Sequence, residues 1–214
     1  MRSRNLDEKR LIMARHIYMV RHGEPEDGFT KRFLGRMDPA LSPAGALQAR
    51  TLARRVQPLG ICRIIASPLL RAKATAEIIA SDLALPLEID SRLLEIDFGK
   101  LEGMTFKEAS AIYPGTTDSW QALAGDFSFP GGENFRDFDR RCEAMAEAAK
   151  NAPEENVMLV AHGGVLRGIL CHLLAVEADG PLRFRLAYAA LTSVEIFDGG
   201  DAILTGFNVG RTEV

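Results

Sequence analysis

Short apolar runs alternate with amphipathic stretches along the chain, and this alternation predicts strands that are each followed by a helix. The first apolar run, residues 16–20, has the length and composition of a buried strand. The stretch 43–56 is predicted to be a helix, because Ser42-Pro43 joins an N-cap residue to a proline suited to the first helical position. The N-terminal part of the chain therefore reads as strand, long loop and helix.

The same pattern recurs along the rest of the chain. A buried strand at 61–66 precedes a helix at 70–83, for which Ser67 is the predicted N-cap and Pro68 the proline of the first turn. Residues 91–130 are rich in glycine and proline and are predicted to be mainly loop. The other predicted elements are a short strand at 86–89, helical pieces at 105–112 and 119–123, a helix at 134–149, a strand at 157–161, a helix at 165–174, and a hairpin formed by 192–197 and 202–207.

Strands that alternate with helices indicate an α/β fold. We expect a three-layer α/β/α sandwich with a mainly parallel central sheet and an antiparallel hairpin at one edge. Residues 1–14 are charged and lack a clean apolar period, so they are predicted to be an N-terminal extension. Residues 15–214 are predicted to form a single domain.

Composition excludes several functional classes. The chain has 214 residues, of which 47% are hydrophobic and 26% charged, and its net charge is -3. A protein without a basic field is not expected to bind nucleic acid. No apolar run approaches the roughly 18 residues that span a bilayer, and the first residues lack the features of a signal peptide. We therefore expect a cytoplasmic protein without a membrane partner.

The three cysteines are Cys62, Cys142 and Cys171, and they lie far apart in the sequence. Their odd number and spacing argue against a disulfide framework and against a Cys-x-x-Cys metal or redox site. No His-Glu-x-x-His or similar metal spacing is present either, so no metal and no cofactor is expected.

Unusual polar residues stand where the predicted parallel strands end, which is where ligands bind in α/β sheets. They are Arg21-His22, Arg71 in the first turn of the second helix, and His162-Gly163 after the strand at 157–161. If these strands are neighbours, two arginines, two histidines and helix N-terminal amides meet in one pocket that suits phosphate. Nearby positive charge keeps an imidazole neutral and nucleophilic, and His22 is the predicted nucleophile.

Phosphoryl transfer to an imidazole also needs a proton donor for the leaving oxygen. The segment 94–99, Leu-Glu-Ile-Asp-Phe-Gly, offers Glu95 and Asp97. The residues themselves do not decide between these two carboxyl groups.

Taken together, these motifs resemble those of the histidine phosphatase superfamily, which is also called the phosphoglycerate mutase-like family. The resemblance covers about residues 15 to 210. The segments that carry it are Arg21-His22-Gly23-Glu24, 35–42 (GRMDPALS), 66–72 (ASPLLRA), 94–103 (LEIDFGKLEG), 130–133 (PGGE) and 161–164 (AHGG).

The resemblance implies a role for each residue of the site. His22 is the residue that becomes phosphorylated, and Glu95, rather than Asp97, is the general acid that later activates water. Arg21, Arg71, His162 and Gly163 bind the phosphoryl group. Family members commonly have a threonine after the first motif and an asparagine three residues later, whereas Pro25 and Gly28 stand at these positions here.

The branch of the family follows from the compact sequence. Phosphoglycerate mutases carry a substantial insert between the acid and the second histidine, and Glu95 and His162 are too close in sequence to hold it. The chain therefore resembles the phosphatase branch. The segments 98–103 and 119–135 resemble those of α-ribazole phosphatases, and broad-specificity phosphatases of the same branch are nearly as similar. We expect metal-independent hydrolysis of small phosphate esters, with α-ribazole 5'-phosphate as one candidate. The alternatives are a phosphoglycerate mutase and a non-catalytic phosphate-binding module, and a homodimer is left open.

Overall fold

The computed structural model describes residues 15–26, 29, 31–122, 126–176 and 183–210. The predicted extension at 1–14 and residue Gly28 lie outside this part of the chain. The strands are β1 (Arg15–Arg21), β2 (Arg63–Ala66), β3 (Leu87–Ile89), β4 (Asn156–Ala161), β5 (Leu191–Ile196) and β6 (Ala202–Val209). The helices are α1 (Pro43–Val56), α2 (Leu70–Leu83), α3 (Phe106–Ile112), α4 (Pro114–Ala122), α5 (Phe135–Lys150) and α6 (Gly163–Leu174), with short 3-10 turns at Gln57–Leu59, Ser91–Leu93 and Gly99–Leu101.

The six strands form one mixed sheet in the order β3-β2-β4-β1-β5-β6. Strands β1, β2, β3 and β4 run parallel to one another, whereas β5 runs antiparallel to both β1 and β6. The predicted parallel sheet with an antiparallel hairpin at one edge is therefore confirmed.

Alternate residues of the buried strands pack into two separate hydrophobic cores, one on each face of the sheet. Ile17 and Met19 of β1 face the core that contains α5 and α6. Tyr18 and Val20 face the core that contains α1 and α2. Helices thus cover both faces, which completes the three-layer sandwich.

The starts of α1 and α2 both match the prediction, but the predicted cap is confirmed only for α1. Ser42 Oγ accepts the N–H group of Gly45 at 2.9 Å, so this serine caps α1. Helix α2 begins at Leu70 as predicted, and its first N–H donates to the Asp38 carboxylate at 2.7 Å. Ser67 is thus not the cap of α2, because a side chain from a distant loop satisfies that amide and Ser67 lies next to His162.

The other differences from the predicted boundaries are small. Helix α4 begins at Pro114 rather than at 119, consistent with the preference of proline for the first turn. Helix α6 begins at Gly163, so His162 occupies its N-cap position. None of Cys62, Cys142 and Cys171 forms a disulfide with another described residue. Among the described residues, no helix has the length and apolar character needed to cross a membrane.

Candidate active site

The sheet order places the carboxyl ends of three parallel strands next to one another. Strand β4 lies between β2 and β1, with Ala161 paired to Arg21 and Val160 paired to Ala66. The N–H group of His22 donates to the carbonyl of Ala161 at 2.9 Å. The residues that follow these strands, including His22 and His162, are therefore brought together as the sequence predicted.

The ring of His22 is buried and its tautomer follows from its contacts. Nδ1 lies 2.7 Å from the carbonyl oxygen of Gly23, which can only accept a hydrogen bond, so Nδ1 carries the proton. Nε2 keeps the lone pair and lies 3.3 Å from the Nε–H group of Arg71. Burial lowers the pKa of His22 well below 6.5, and the charges of Arg21 and Arg71 lower it further. The ring is therefore neutral at physiological pH.

Close backbone packing fixes the loop that carries His22. A Cβ atom at Gly23 would collide with the backbone carbonyl of Gly45, so only glycine fits here. The N–H group of Gly23 donates to the hydroxyl of Thr75 at 3.0 Å, and this hydroxyl donates to the carbonyl of Arg71 at 2.7 Å. Thr75 therefore links the loop that carries His22 to the backbone of Arg71 and fixes their relative positions.

The guanidinium of Arg71 is oriented before any ligand is present. The side chain is 1% exposed, and its two terminal nitrogens donate to the carbonyls of Met37 at 2.7 Å and Gly35 at 2.9 Å. The carboxylate of Glu102 accepts the N–H groups of Arg36 and Met37, each at 2.6 Å. Glu102 thus holds the turn whose carbonyls hold Arg71, a role that the sequence analysis did not identify.

Arg21 and His162 each have one buried nitrogen without a hydrogen-bond partner among the described residues, namely Arg21 Nε and His162 Nδ1. Arg21 otherwise donates to the carbonyl of Leu186 at 2.8 Å and lies over the ring of Tyr188, with Cζ 3.9 Å from its centroid. His162 Nε2 lies 2.7 Å from Ser67 Oγ. The His22 and His162 ring centroids are 5.1 Å apart. Burial lowers the pKa of His162 well below 6.5, and Arg71, His22 and Arg21 add to this effect.

The two candidate acids occupy different positions. Glu95 is nearly buried and lines the same cavity as His22 and Arg71. Asp97 does not line that cavity, and its carboxylate accepts the N–H group of Gly99 at 2.8 Å. The geometry therefore places Glu95, and not Asp97, in the cavity that His22 and Arg71 line.

The N-terminus of α6 holds the Glu95 carboxylate. The N–H group of Gly164 donates to Oε2 at 2.7 Å, and the N–H group of Val165 donates to Oε1 at 3.1 Å. A Cβ atom at Gly164 would collide with this carboxylate. The sequence predicted that amides of this turn face the phosphate, whereas these two amides bind Glu95. Gly163 does line the cavity, next to the Arg21 guanidinium.

The cavity has a volume of about 320 Å³ and combines cations with aromatic rings. Pro25 is not part of its lining and instead forms a β-bridge with Leu41. Within the described ranges, no three His, Cys, Asp or Glu side chains are grouped so that they could hold a metal ion. Lining residues that the sequence analysis did not select include Phe33, Phe98, Phe106, Trp120, Arg167, Arg185 and Tyr188.

Comparison with known proteins identifies relatives along nearly the whole chain. The family model described as histidine phosphatase superfamily (branch 1) matches residues 17–209. A protein of Hydrogenobacter thermophilus, provisionally named phosphoserine phosphatase 2, is 31% identical over 182 residues, which are 85% of this chain and 90% of the relative. A protein of Erwinia tasmaniensis, provisionally named phosphoglycerate mutase GpmB, is 32% identical over 184 residues, which are 84% of each chain.

Solved structures show the same architecture. The mycobacterial glucosyl-3-phosphoglycerate phosphatase has a TM-score of 0.80 and 27% identity, with 91% of this chain and 99% of that chain covered. The α-ribazole phosphatase of Shigella flexneri has a TM-score of 0.81 and 24% identity, with 93% of this chain and 98% of that chain covered. At this identity, the second similarity concerns the fold alone.

Proposed function

Because this chain belongs to the histidine phosphatase superfamily (branch 1) and is a phosphatase, we propose that it hydrolyses small phosphomonoesters through a phosphohistidine formed on His22. The observation that carries the proposal is the tautomer of His22. A neutral ring with its proton on Nδ1 has an unshared electron pair on Nε2, next to the guanidinium of Arg71. A nucleophile and a cation for the developing negative charge thus lie side by side.

The phosphoryl group is held by donors that converge on this nucleophile. Arg21 Nε and His162 Nδ1 supply two buried donors that have no partner among the described residues. In the proposed arrangement the hydroxyl of Ser67 donates to Nε2 of His162, and the proton of His162 is on Nδ1, where it faces the phosphate. A phosphate oxygen is a strong acceptor for both donors and for Arg71. The amide of Gly163, the first residue of α6, completes the proposed set of phosphate ligands.

In the first step, the lone pair of His22 Nε2 forms a bond to phosphorus while the bond from phosphorus to the ester oxygen breaks. Glu95 donates its proton to the departing oxygen, so an alcohol leaves instead of an alkoxide. Arg21, Arg71 and His162 stabilise the charge on the three non-bridging oxygens. The products of this step are phosphohistidine, an alcohol and ionised Glu95.

In the second step, ionised Glu95 takes a proton from a water molecule, and the water oxygen attacks phosphorus. The bond between nitrogen and phosphorus breaks, and the electron pair returns to Nε2 of His22. Glu95 is protonated again, and inorganic phosphate leaves. The backbone N–H groups of Gly164 and Val165 keep the carboxylate in one place through both steps.

The size of the cavity favours small and medium-sized metabolites. A volume of about 320 Å³ is near the lower end of what small-molecule sites enclose. The relatives are named for phosphoserine, phosphoglycerate and glucosyl-3-phosphoglycerate, and the Shigella structure for α-ribazole phosphate. Steady-state kinetics on these esters, with sugar phosphates and nucleotides for comparison, would select the substrate.

A chromogenic phosphate ester tests the mechanism. We expect hydrolysis to continue in the presence of a chelator, since none of the proposed steps uses a metal. His22→Ala should abolish hydrolysis and also the acid-labile label left by a radioactive phosphate ester. His172→Ala is the matched control, because His172 is a surface residue that pairs with Asp139 at 2.9 Å. Full activity of His22→Ala, or labelling that survives in it, would refute the role of His22.

A mutase is the second candidate, because the relative from Erwinia tasmaniensis carries that name at 32% identity. Both activities share the phosphohistidine and differ in the acceptor, which is water for a phosphatase and a substrate hydroxyl for a mutase. Product analysis with 3-phosphoglycerate separates them. Inorganic phosphate as the main product supports the phosphatase, whereas conversion to 2-phosphoglycerate that is faster than phosphate release supports the mutase.

A further inference from the structure

The charge in the cavity is strongly unbalanced. Within the described part of the chain, Glu95 is the single carboxylate that lines it. A phosphate ester brings two negative charges at most, which the phosphoryl site already matches with Arg21 and Arg71. Positive charge therefore remains for another group. The six cationic side chains that line the cavity are those of Arg21, Lys31, Arg32, Arg71, Arg167 and Arg185.

Three of these cations already have structural partners. Arg71 donates to two loop carbonyls, and Arg21 donates to the carbonyl of Leu186. Arg32 donates to the carbonyl of Gly103 at 2.8 Å and pairs with Glu108 at 3.3 Å, at the outer edge of the cavity. The packing of the protein thus explains the presence of these side chains.

Arg167, like Arg21, donates to one backbone carbonyl, because its Nε lies 2.9 Å from the carbonyl of Gly163, one turn earlier in α6. Unlike Arg21, it is not part of the proposed phosphoryl site, and no carboxylate among the described residues forms a salt bridge with it. Burial lowers the pKa of Arg167, the negative charge of Glu95 raises it, and the positive charges of Arg21 and Arg185 lower it. Glu95 is one negative charge among six cations in this cavity, so a second anion beside Arg167 and Arg185 would be favourable.

Arg185 approaches from another element and is exposed to the cavity. Its main chain is fixed, because its carbonyl accepts a hydrogen bond from the Asn208 amide at 2.6 Å. The same Asn208 side chain accepts the N–H group of Ala187 at 2.8 Å. Asn208 therefore holds the segment that carries Arg185 against β6. The Arg185 side chain is exposed and lines the cavity, and it has no carboxylate partner among the described residues.

We propose that Arg167 and Arg185 form a second anion subsite, which binds a carboxylate or a second phosphate of the substrate. The inference rests on the proposed function, because the phosphoryl group must occupy the neighbouring site. Arg167 lies four residues beyond Gly163 on the same face of α6, and its side chain turns back so that Nε lies 2.9 Å from the Gly163 carbonyl; the subsite therefore adjoins the phosphoryl site. A substrate that spans both sites carries its second anionic group only a few bonds away from the phosphate ester.

Two pairs of esters isolate the contribution of the second anion. 3-Phosphoglycerate differs from glycerol 3-phosphate by a carboxylate in place of a hydroxymethyl group, and glucose 1,6-bisphosphate differs from glucose 6-phosphate by one phosphate. We expect kcat/KM of the wild-type protein to be higher for the acidic member of at least one pair. The pair with the larger ratio identifies the subsite as specific for carboxylate or for phosphate.

The variants Arg167→Gln and Arg185→Gln should each lower that ratio by roughly tenfold to a hundredfold, which is typical of a lost charge-assisted hydrogen bond. Arg167→Lys keeps the charge and should retain more of the ratio than Arg167→Gln. Arg54→Gln is the control, because Arg54 is exposed on α1 and does not line the cavity. Arg185 is exposed, so its variant decides the question even if Arg167→Gln fails to fold.

Calorimetric binding of the same esters to His22→Ala separates the two proposals. Preferred binding of the acidic ester, lost in His22→Ala/Arg185→Gln, supports the subsite even if the wild-type protein hydrolyses neither ester. A wild-type ratio near one in both pairs, or a ratio that both glutamine variants leave unchanged, overturns the subsite while hydrolysis itself still supports the phosphatase.

Discussion

The substitution Gly164→Ala tests whether the N-terminus of α6 places the general acid. A methyl group at this position would overlap Oε1 of Glu95 and lie 3.0 Å from its Cδ. The carboxylate must retreat by about 1 Å to reach normal van der Waals contact. This movement also disturbs the 2.7 Å hydrogen bond from the N–H group of Gly164.

A misplacement of about 1 Å costs on the order of a hundredfold in rate, which corresponds to roughly 2.7 kcal/mol. We expect this loss in kcat/KM for an alkyl ester such as glycerol 3-phosphate, because its poor leaving group needs a proton from Glu95. The loss should be below about tenfold for p-nitrophenyl phosphate, whose leaving group needs little protonation. Steady-state kinetics on the two esters therefore measure the position of the acid.

Gly115→Ala is the matched control. Gly115 lies in α4, and a methyl group there would meet no atom within 4 Å. This variant should keep both activities and gain up to about 1 kcal/mol of stability from the higher helix propensity of alanine. Equal losses on the two esters in Gly164→Ala would mean that the methyl group disturbs the nucleophile or the fold instead of the acid. Full activity on both esters would show that Glu95 is not the proton donor.

The remaining predictions concern pH and the fixation of Arg71. Folding lowers the pKa of His22 and of His162 well below 6.5, so as the pH falls the unfolded chain binds protons before the folded protein does. The free energy of unfolding should therefore be highest above about pH 6.5 and should decrease below it. Thermal unfolding between pH 8 and 5 should show this loss, and His162→Gln should reduce its slope. Arg71→Lys should lower kcat/KM roughly a hundredfold in steady-state kinetics, because an ammonium group cannot reach both loop carbonyls and the phosphate. Glu102→Gln should raise KM more than it lowers kcat, because an NH2 group would face one of the two backbone donors that the carboxylate now accepts; an unchanged KM would contradict this role.

Local sequence signals account for most of the fold. The strand periodicity and the Ser42-Pro43 start of α1 involve residues that are at most a few positions apart, so the sequence displays them directly. Helix α2 begins at the predicted residue, but Ser67 was wrong as its cap, because the carboxylate of Asp38, 32 positions before Leu70, accepts the first amide. A long-range contact of this kind leaves no local pattern.

The site shows the same division. His22, Arg71 and His162 could be selected because they follow predicted strands that the sheet brings together. Glu95 and Asp97 could not be separated from the residues alone, because the choice depends on contact with α6, about 70 positions away. Arg167 did have a signal, since it follows Gly163 by four residues and therefore shares its helix face. Arg185 had none, because Asn208 on β6 determines where it lies.

The hydrogen bonds of Arg71 to the carbonyls of Gly35 and Met37 also affect the thermodynamics of ligand binding. An arginine side chain has about 2 kcal/mol of rotamer entropy, and here most of it is lost during folding. An arriving phosphate therefore meets a guanidinium that is already immobile, and binding loses little further side-chain entropy. The affinity for phosphate therefore depends on the stability of the loop around Gly35. A mutation that loosens this loop would weaken binding entropically, even if it removed no contact to phosphate.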